Sequence, residues 1–174
     1  MTQQVADGRY TWRINARLPV NRQSYLLDSQ PGVASTGYQI SVDARVVEGP
    51  ADALYGICFH YESAERYWEF LVDDSGRAVV AARDGARWTY PGGVQVADAP
   101  VQPGGVNELT IQVTPKTAAF FVNGSLVAEL AESAHQETTL LSGSFGLAID
   151  LGRAGEAATI EFDNFVVSAP GMQP

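Results

Sequence analysis

The sequence predicts an all-β chain folded as a two-sheet antiparallel jelly-roll sandwich. Three observations predict it: repeated period-two alternation of apolar and polar residues, turn chemistry between the alternating runs, and the lack of any apolar stripe at helical spacing. The alternation begins at Tyr10, Trp12, Ile14 and Ala16, whose interleaved Thr11, Arg13, Asn15 and Arg17 would face water. It returns in Tyr38, Ile40, Val42, Ala44 and Val46, then in Tyr55, Ile57, Phe59 and Tyr61, then in Trp68, Phe70 and Val72. Residues 78–83, 109–113, 119–122, 145–151 and 158–167 are rich in β-branched or aromatic residues and read as further strands.

Turn residues fall between these runs. Asp73-Asp74-Ser75-Gly76, Asp84-Gly85, Gly92-Gly93 and Gly104-Gly105 supply positive φ at low cost, and Asn123-Gly124 between two apolar runs predicts a tight type I′ hairpin. Ile160 and Phe162 share one parity while Phe165 and Val167 share the other, so a bulge near Asp163-Asn164 is required to turn both pairs inward. Residues 21–36, polar and containing Pro31-Gly32, read as a surface loop. Residues 127–136 read as a strand end and loop, and the residues after Ser168 as a frayed tail.

A chain of 174 residues, 45% hydrophobic and 18% charged, is long enough to bury a core without disulfides or a structural metal. It reads as one domain over residues 1–174, its core spanning about 8–168. A formal charge of -9, with Lys116 the sole lysine, disfavours nucleic acid and anionic lipid as partners, and no apolar run has the length of a membrane span. The first eight residues lack a basic region followed by an apolar stretch, so no signal peptide is expected in this chain. With Cys58 the only cysteine, an internal disulfide and a Cys-based zinc cluster are excluded.

One succession of residues has a family look: Tyr55-Gly56-Ile57-Cys58-Phe59-His60, Arg66-Tyr67-Trp68-Glu69-Phe70, Asp74-Ser75-Gly76-Arg77, Asn107-Glu108-Leu109, Phe121-Val122-Asn123-Gly124, Phe145-Gly146-Leu147 and Phe162-Asp163-Asn164-Phe165. It resembles the concanavalin-A-like jelly rolls, and more narrowly the 3-keto-disaccharide hydrolase family and the sandwich attached to exo-inulinases. His60 stands where that family usually has an arginine. The resemblance implies an extracytoplasmic setting and one of several roles: sugar-binding module, domain appended to a bacterial sensor or kinase, or glycoside hydrolase.

No HExxH pattern, G-x-S-x-G elbow, P-loop or dinucleotide fingerprint is present, and His60 and His135 are too few for a metal triad. Glu161 and Asp163 form an E-x-D pair, but no second glutamate follows to provide the carboxylates about 5 Å apart that retaining glycosidases use. Asp163 or Asn164 is expected instead to cap amides beside the bulge. No cofactor is expected; calcium is the alternative, with oxygens from Asp73, Asp74, Asp28, Asp52 or Asp150.

The candidate ligand site comes from outward parities. If consecutive strands share a sheet, Asp43 and Arg45, then His60, then Tyr67 and Glu69, then Arg83 line one polar face, with Trp88 added as a stacking platform. Small Gly56, Cys58 and Ala81 would leave a recess there, with His60 a partly exposed surface residue. The partner is then an oligosaccharide or other small polar ligand, bound without catalysis. The enzymatic alternative requires Glu69 and Asp43 to face one pocket; the alternative of a structural or protein-interaction domain appended to a larger chain would show an apolar patch or a symmetric dimer through an edge strand.

Overall fold

The computed structural model describes residues 2–6, 8–15, 37–93, 95–96, 98–131 and 140–169, together with the backbone of 21–27. Strands run in the order β1 (Thr2–Ala6), β2 (Arg9–Asn15), β3 (Asn21–Leu27), β4 (Tyr38–Glu48), β5 (Leu54–Ser63), β6 (Arg66–Val72), β7 (Ala78–Asp84), β8 (Arg87–Thr89), β9 (Gln95–Val96), β10 (Asn107–Val113), β11 (Thr117–Val122), β12 (Ser125–Ala131), β13 (Ser144–Leu151) and β14 (Ala157–Ser168). They form two antiparallel sheets, β1-β2-β14-β4-β10-β11-β12 and β3-β13-β5-β6-β7-β8, with β9 paired to β7, the jelly-roll sandwich that the alternation predicts. Among the described residues no helix is long and apolar enough to cross a membrane.

Alternation places the core. Along β4 the side chains of Tyr38, Ile40, Val42, Ala44 and Val46 enter one hydrophobic cluster, and Tyr55, Ile57, Phe59, Trp68, Phe70 and Val72 meet them from the second sheet. Trp12, Phe59 and Phe70 are fully buried, and Trp68 is 6% exposed. Aromatic rings span the gap, with Phe120 of β11 packed 5.9 Å from Phe59 and 5.2 Å from Phe70.

The predicted turns form. Val122 pairs with Ser125 across Asn123 (φ 50) and Gly124 (φ 75), the two left-handed residues of a type I′ hairpin. The bulge in β14 also lies where parity demands: its register against β4 shifts between Asp163 and Val166, Asn164 adopts φ 50, and Phe165 and Val167 turn back to the core.

Two elements depart from the sequence reading. The loop expected over 21–36 contains β3, which pairs with β13 from Asn21↔Leu151 to Leu27↔Phe145. The segment before residue 8 contains β1, paired with β2 from Thr2↔Arg13 to Ala6↔Arg9. Both are edge strands, held on one side by backbone hydrogen bonds that any residue can make, so neither needs side-chain alternation. The strand end read in 127–136 is the end of β12; its loop, His135 and the tail from residue 170 lie outside the described residues.

Candidate functional site

The sheets divide the expected ligand residues. Asp43 and Arg45 belong to β4 of the first sheet, whereas His60, Tyr67, Glu69, Arg83 and Trp88 belong to β5, β6, β7 and β8 of the second. Because both groups point away from the core, they occupy opposite outer faces of the sandwich. The single shared face is therefore corrected. Glu69 and Asp43 cannot face one pocket, and the catalytic pair built on them is removed with it.

On the second sheet the outer face is partly closed. Cys58, Tyr67, Leu71 and Ala148 form a small cluster of their own, against which Leu54, Tyr61 and Trp88 pack. Cys58 is 0% and Ala81 1% exposed, so the recess expected above the small residues is not open. A Cβ added to Gly56 would lie 2.2 Å from the carbonyl oxygen of Phe70, so this glycine lets β6 approach rather than leaving space for a ligand. Glu69 and His60 are also buried, each 1% exposed, which corrects the reading of His60 as partly exposed.

What remains accessible is an aromatic array with a cation. Tyr61 stacks on Tyr67 at 5.8 Å and 27°, Trp88 meets Tyr67 edge-on at 5.6 Å, and the Arg83 guanidinium carbon lies 5.9 Å from the Tyr67 ring centre and 5.8 Å from that of Trp88. The Arg83 Nε–H donates to the Gly85 carbonyl at 3.0 Å, fixing the guanidinium. Tyr61, Arg83 and Trp88 are partly exposed. Arg83 and Trp88 are brought together because the Asp84-Gly85 turn folds β8 back on β7 and pairs the two residues directly.

Tyr61 is the member that alternation misassigns to the core. Pairing runs Phe59↔Trp68 and then Ser63↔Arg66, so three residues of β5 oppose the single Tyr67 of β6. His60 lies in this bulge at φ 48, and Tyr61 after it faces the outer cluster. Histidine is among the residues that tolerate this conformation, yet no local motif marks it, and only counting the two hairpin arms against each other would reveal the bulge.

His60 is 1% exposed. Its Nδ1 lies 2.8 Å from the Ser142 carbonyl oxygen, which can only accept, so Nδ1 carries the hydrogen. Nε2 then presents a lone pair to Glu62 Oε1 at 3.4 Å and has no hydrogen-bond partner. Glu62 is drawn in turn toward Arg66 at 3.5 Å. Burial lowers the His60 pKa below its usual value, outweighing the Ser142 hydrogen bond and Glu62, which raise it; Arg66 adds to the lowering. The folded state thus favours neutral imidazole, and its stability holds above the unfolded histidine value of about 6.5 and falls as the pH drops below it toward the lower folded value. Thermal melts at about pH 7.5 and about pH 5.5 should show this loss in the parent chain, and it should shrink in His60→Asn, which accepts the left-handed backbone but does not titrate.

The acidic loops are already engaged. Asp73 Oδ1 accepts from the Ser75 and Arg77 amides at 3.0 and 3.1 Å, and its Oδ2 from Arg77 Nε at 2.9 Å. Asp74 accepts from the Tyr55 hydroxyl at 3.1 Å and the Gly104 amide at 2.8 Å, and Asp52 pairs with Arg153 at 3.3 Å. Among the described residues no group of three or more His, Cys, Asp or Glu is placed to hold a metal, and Asp28 lies outside those residues.

The opposite outer face carries a polar network on β2, β4 and β14. Arg45 donates to Glu161 Oε2 from Nε at 2.8 Å and approaches it with a second nitrogen at 2.6 Å. Asn164 bridges two carboxylates, its amide N–H donating to Asp163 Oδ1 and its Nδ2 to Asp43 Oδ2, both at 2.8 Å. The amide expected to be capped beside the bulge is thus that of Asn164.

Comparison of the whole fold with solved structures gives matches at low sequence identity. The carbohydrate-binding module CBM66 from Bacillus subtilis superposes with a TM-score of 0.72 at 12% identity, covering 97% of this chain and 91% of that one. A family 7 alginate lyase, A1-II′, gives a TM-score of 0.62 at 12% identity over 98% of this chain and 82% of the lyase. Galectin-11 of sheep, solved with glycerol, gives 0.55 at 16% identity over 86% of this chain and 97% of the galectin. These likenesses establish the jelly-roll fold. No family model matches the chain, and no curated protein matches its sequence.

Proposed function

We propose that this chain is a non-catalytic carbohydrate-binding jelly-roll module whose ligand lies on the outer face of the second sheet, across Tyr61, Arg83 and Trp88. The array of Tyr61, Tyr67 and Trp88 with Arg83 held against two of the rings is the observation that carries the reading. A sugar ring offers an apolar C–H face and a rim of hydroxyls, so it needs a flat aromatic surface beside a fixed hydrogen-bond donor. Trp88 and Tyr61 supply the first and Arg83 the second.

The fold adds support, since a carbohydrate-binding module and a galectin are among the similar structures. Alginate lyase shares the fold as well, but the catalytic pair considered for this chain is split between opposite faces. The binding reading needs no metal.

Titration of the full chain with neutral oligosaccharides of glucose, galactose and fructose, followed by calorimetry and amide NMR, tests the proposal. Binding is expected in the millimolar to micromolar range, and Trp88→Ala should weaken it about tenfold, the effect of losing one stacking partner and one ring facing Arg83. Failure of every saccharide to shift amides of the second sheet, or undiminished shifts there in Trp88→Ala, would refute it.

A further inference from the structure

The polar network on the outer face of the first sheet breaks a rule of sheet construction. Asp43 and Asp163 are direct cross-strand partners on one face, an arrangement of like charges that destabilises an antiparallel pair. The fold retains it through a second costly feature, the left-handed Asn164 at φ 50, whose amide and side chain hold the two carboxylates. Ordinary solvated sheet faces set opposite charges against each other, as Arg45 and Glu161 do here. Local rules broken together at one place point to a site.

The surroundings fit a ligand. Arg9, Asp43, Arg45, Val106, Glu161 and Asp163 line a cleft of about 170 Å³. Arg9 stands 3.8 Å from Glu161 and 3.9 Å from Asp163, too far for hydrogen bonds, and its side chain is 54% exposed. Its guanidinium hydrogens therefore remain available to a ligand. So do acceptor oxygens: Asn164 engages one oxygen of Asp43 and one of Asp163, and Arg45 engages a single oxygen of Glu161. Val106, 52% exposed, adds an apolar wall.

From this geometry we infer a second binding site, independent of the aromatic array, for a neutral polyhydroxylated ligand the size of one sugar unit. Charge selects the class. The three carboxylates outnumber the two guanidinium groups and so repel an anion, while a neutral polyol uses both kinds of group: it donates to the carboxylates, accepts from Arg9 and lays its C–H face on Val106. If both sites bind, the chain holds separate glycan segments on its two opposite faces and can bridge them.

Amide NMR of the isotope-labelled full chain reads the two faces separately. Methyl glucoside, methyl galactoside and sucrose should shift amides of Asp43, Arg45, Val106 and Glu161, with Trp88→Ala leaving those shifts unchanged. Asp43→Asn combined with Arg9→Ala should weaken the effect at least tenfold while thermal stability holds or rises, because a like-charge pair is relieved; a merely structural network would instead lose stability. Shifts confined to the second sheet would overturn this inference and leave the proposed function standing. Shifts confined to the β4–β14 face would support it and remove the aromatic site, and no shifts anywhere would remove both. Binding of glucosamine or glucuronate at this cleft more tightly than methyl glucoside would overturn the assigned ligand class.

Discussion

Asn107→Ala is expected to destabilise the fold by about 3 kcal/mol, which for a chain of this size lowers the melting temperature by roughly 6–12 °C. Asn107 opens β10 and is fully buried at one end of the sandwich. Its Nδ2 donates toward the Tyr55 hydroxyl at 3.1 Å, the Gln102 carbonyl at 3.1 Å and the Gly105 carbonyl at 3.2 Å, so its two hydrogens are shared among three acceptors. Its Oδ1 accepts from the Gln102 amide at 2.7 Å and from Asn123 Nδ2 at 2.9 Å. Through Tyr55, which donates to Asp74, the network crosses from the first sheet to the second. Burial and then Asp74 push the Tyr55 phenol above its ordinary range, so it stays a donor at any working pH. Truncation strands several of these groups without water, and each unsatisfied buried group costs about 1–3 kcal/mol. Urea unfolding of Asn107→Ala, Tyr55→Phe and the double variant measures the coupling; independent additive effects would show that the network does not act as one unit.

Phe120→Ala is expected to cost about 3–5 kcal/mol, measured by the urea midpoint at constant m. The ring is fully buried on the inner face of β11 and touches Phe59 and Phe70 of the facing sheet. Removing it opens a cavity between rigid sheets that cannot close without disturbing register along both. Leu126→Ala at the hairpin is the contrast: its side chain is 55% exposed, and the change should stay within about 0.5 kcal/mol. A Phe120→Ala loss no larger than that of Leu126→Ala would mean that the two sheets are not held by this aromatic contact.

Much of this architecture is legible in one dimension. Parity along β4, β5 and β6 names the buried residues from Tyr38 to Val72, because a regular strand gives each residue only two facings. The parity conflict between Phe162 and Phe165 reveals the β14 bulge for the same reason. Where one bulge goes unnoticed, the error propagates: the left-handed His60 sends Tyr61 from its expected place in the core to the outer cluster. Edge strands β1 and β3 escape altogether, since pairing on one side imposes little on side chains.

The candidate site is half legible. Arg83 and Trp88 are joined by a turn whose residues are read directly, so their meeting follows from local chemistry. Asp43 and Arg45 have the correct outward facing, but β4 and β5 enter different sheets although they are consecutive in the chain. Facing is a local property, encoded by alternation and turn residues, and the sequence by itself determined it together with the fold class. Which strands become neighbours is decided by long-range backbone pairing and by the fit of two apolar surfaces, so only the tertiary structure could divide the polar residues between opposite faces and bring Asn164 between Asp43 and Asp163.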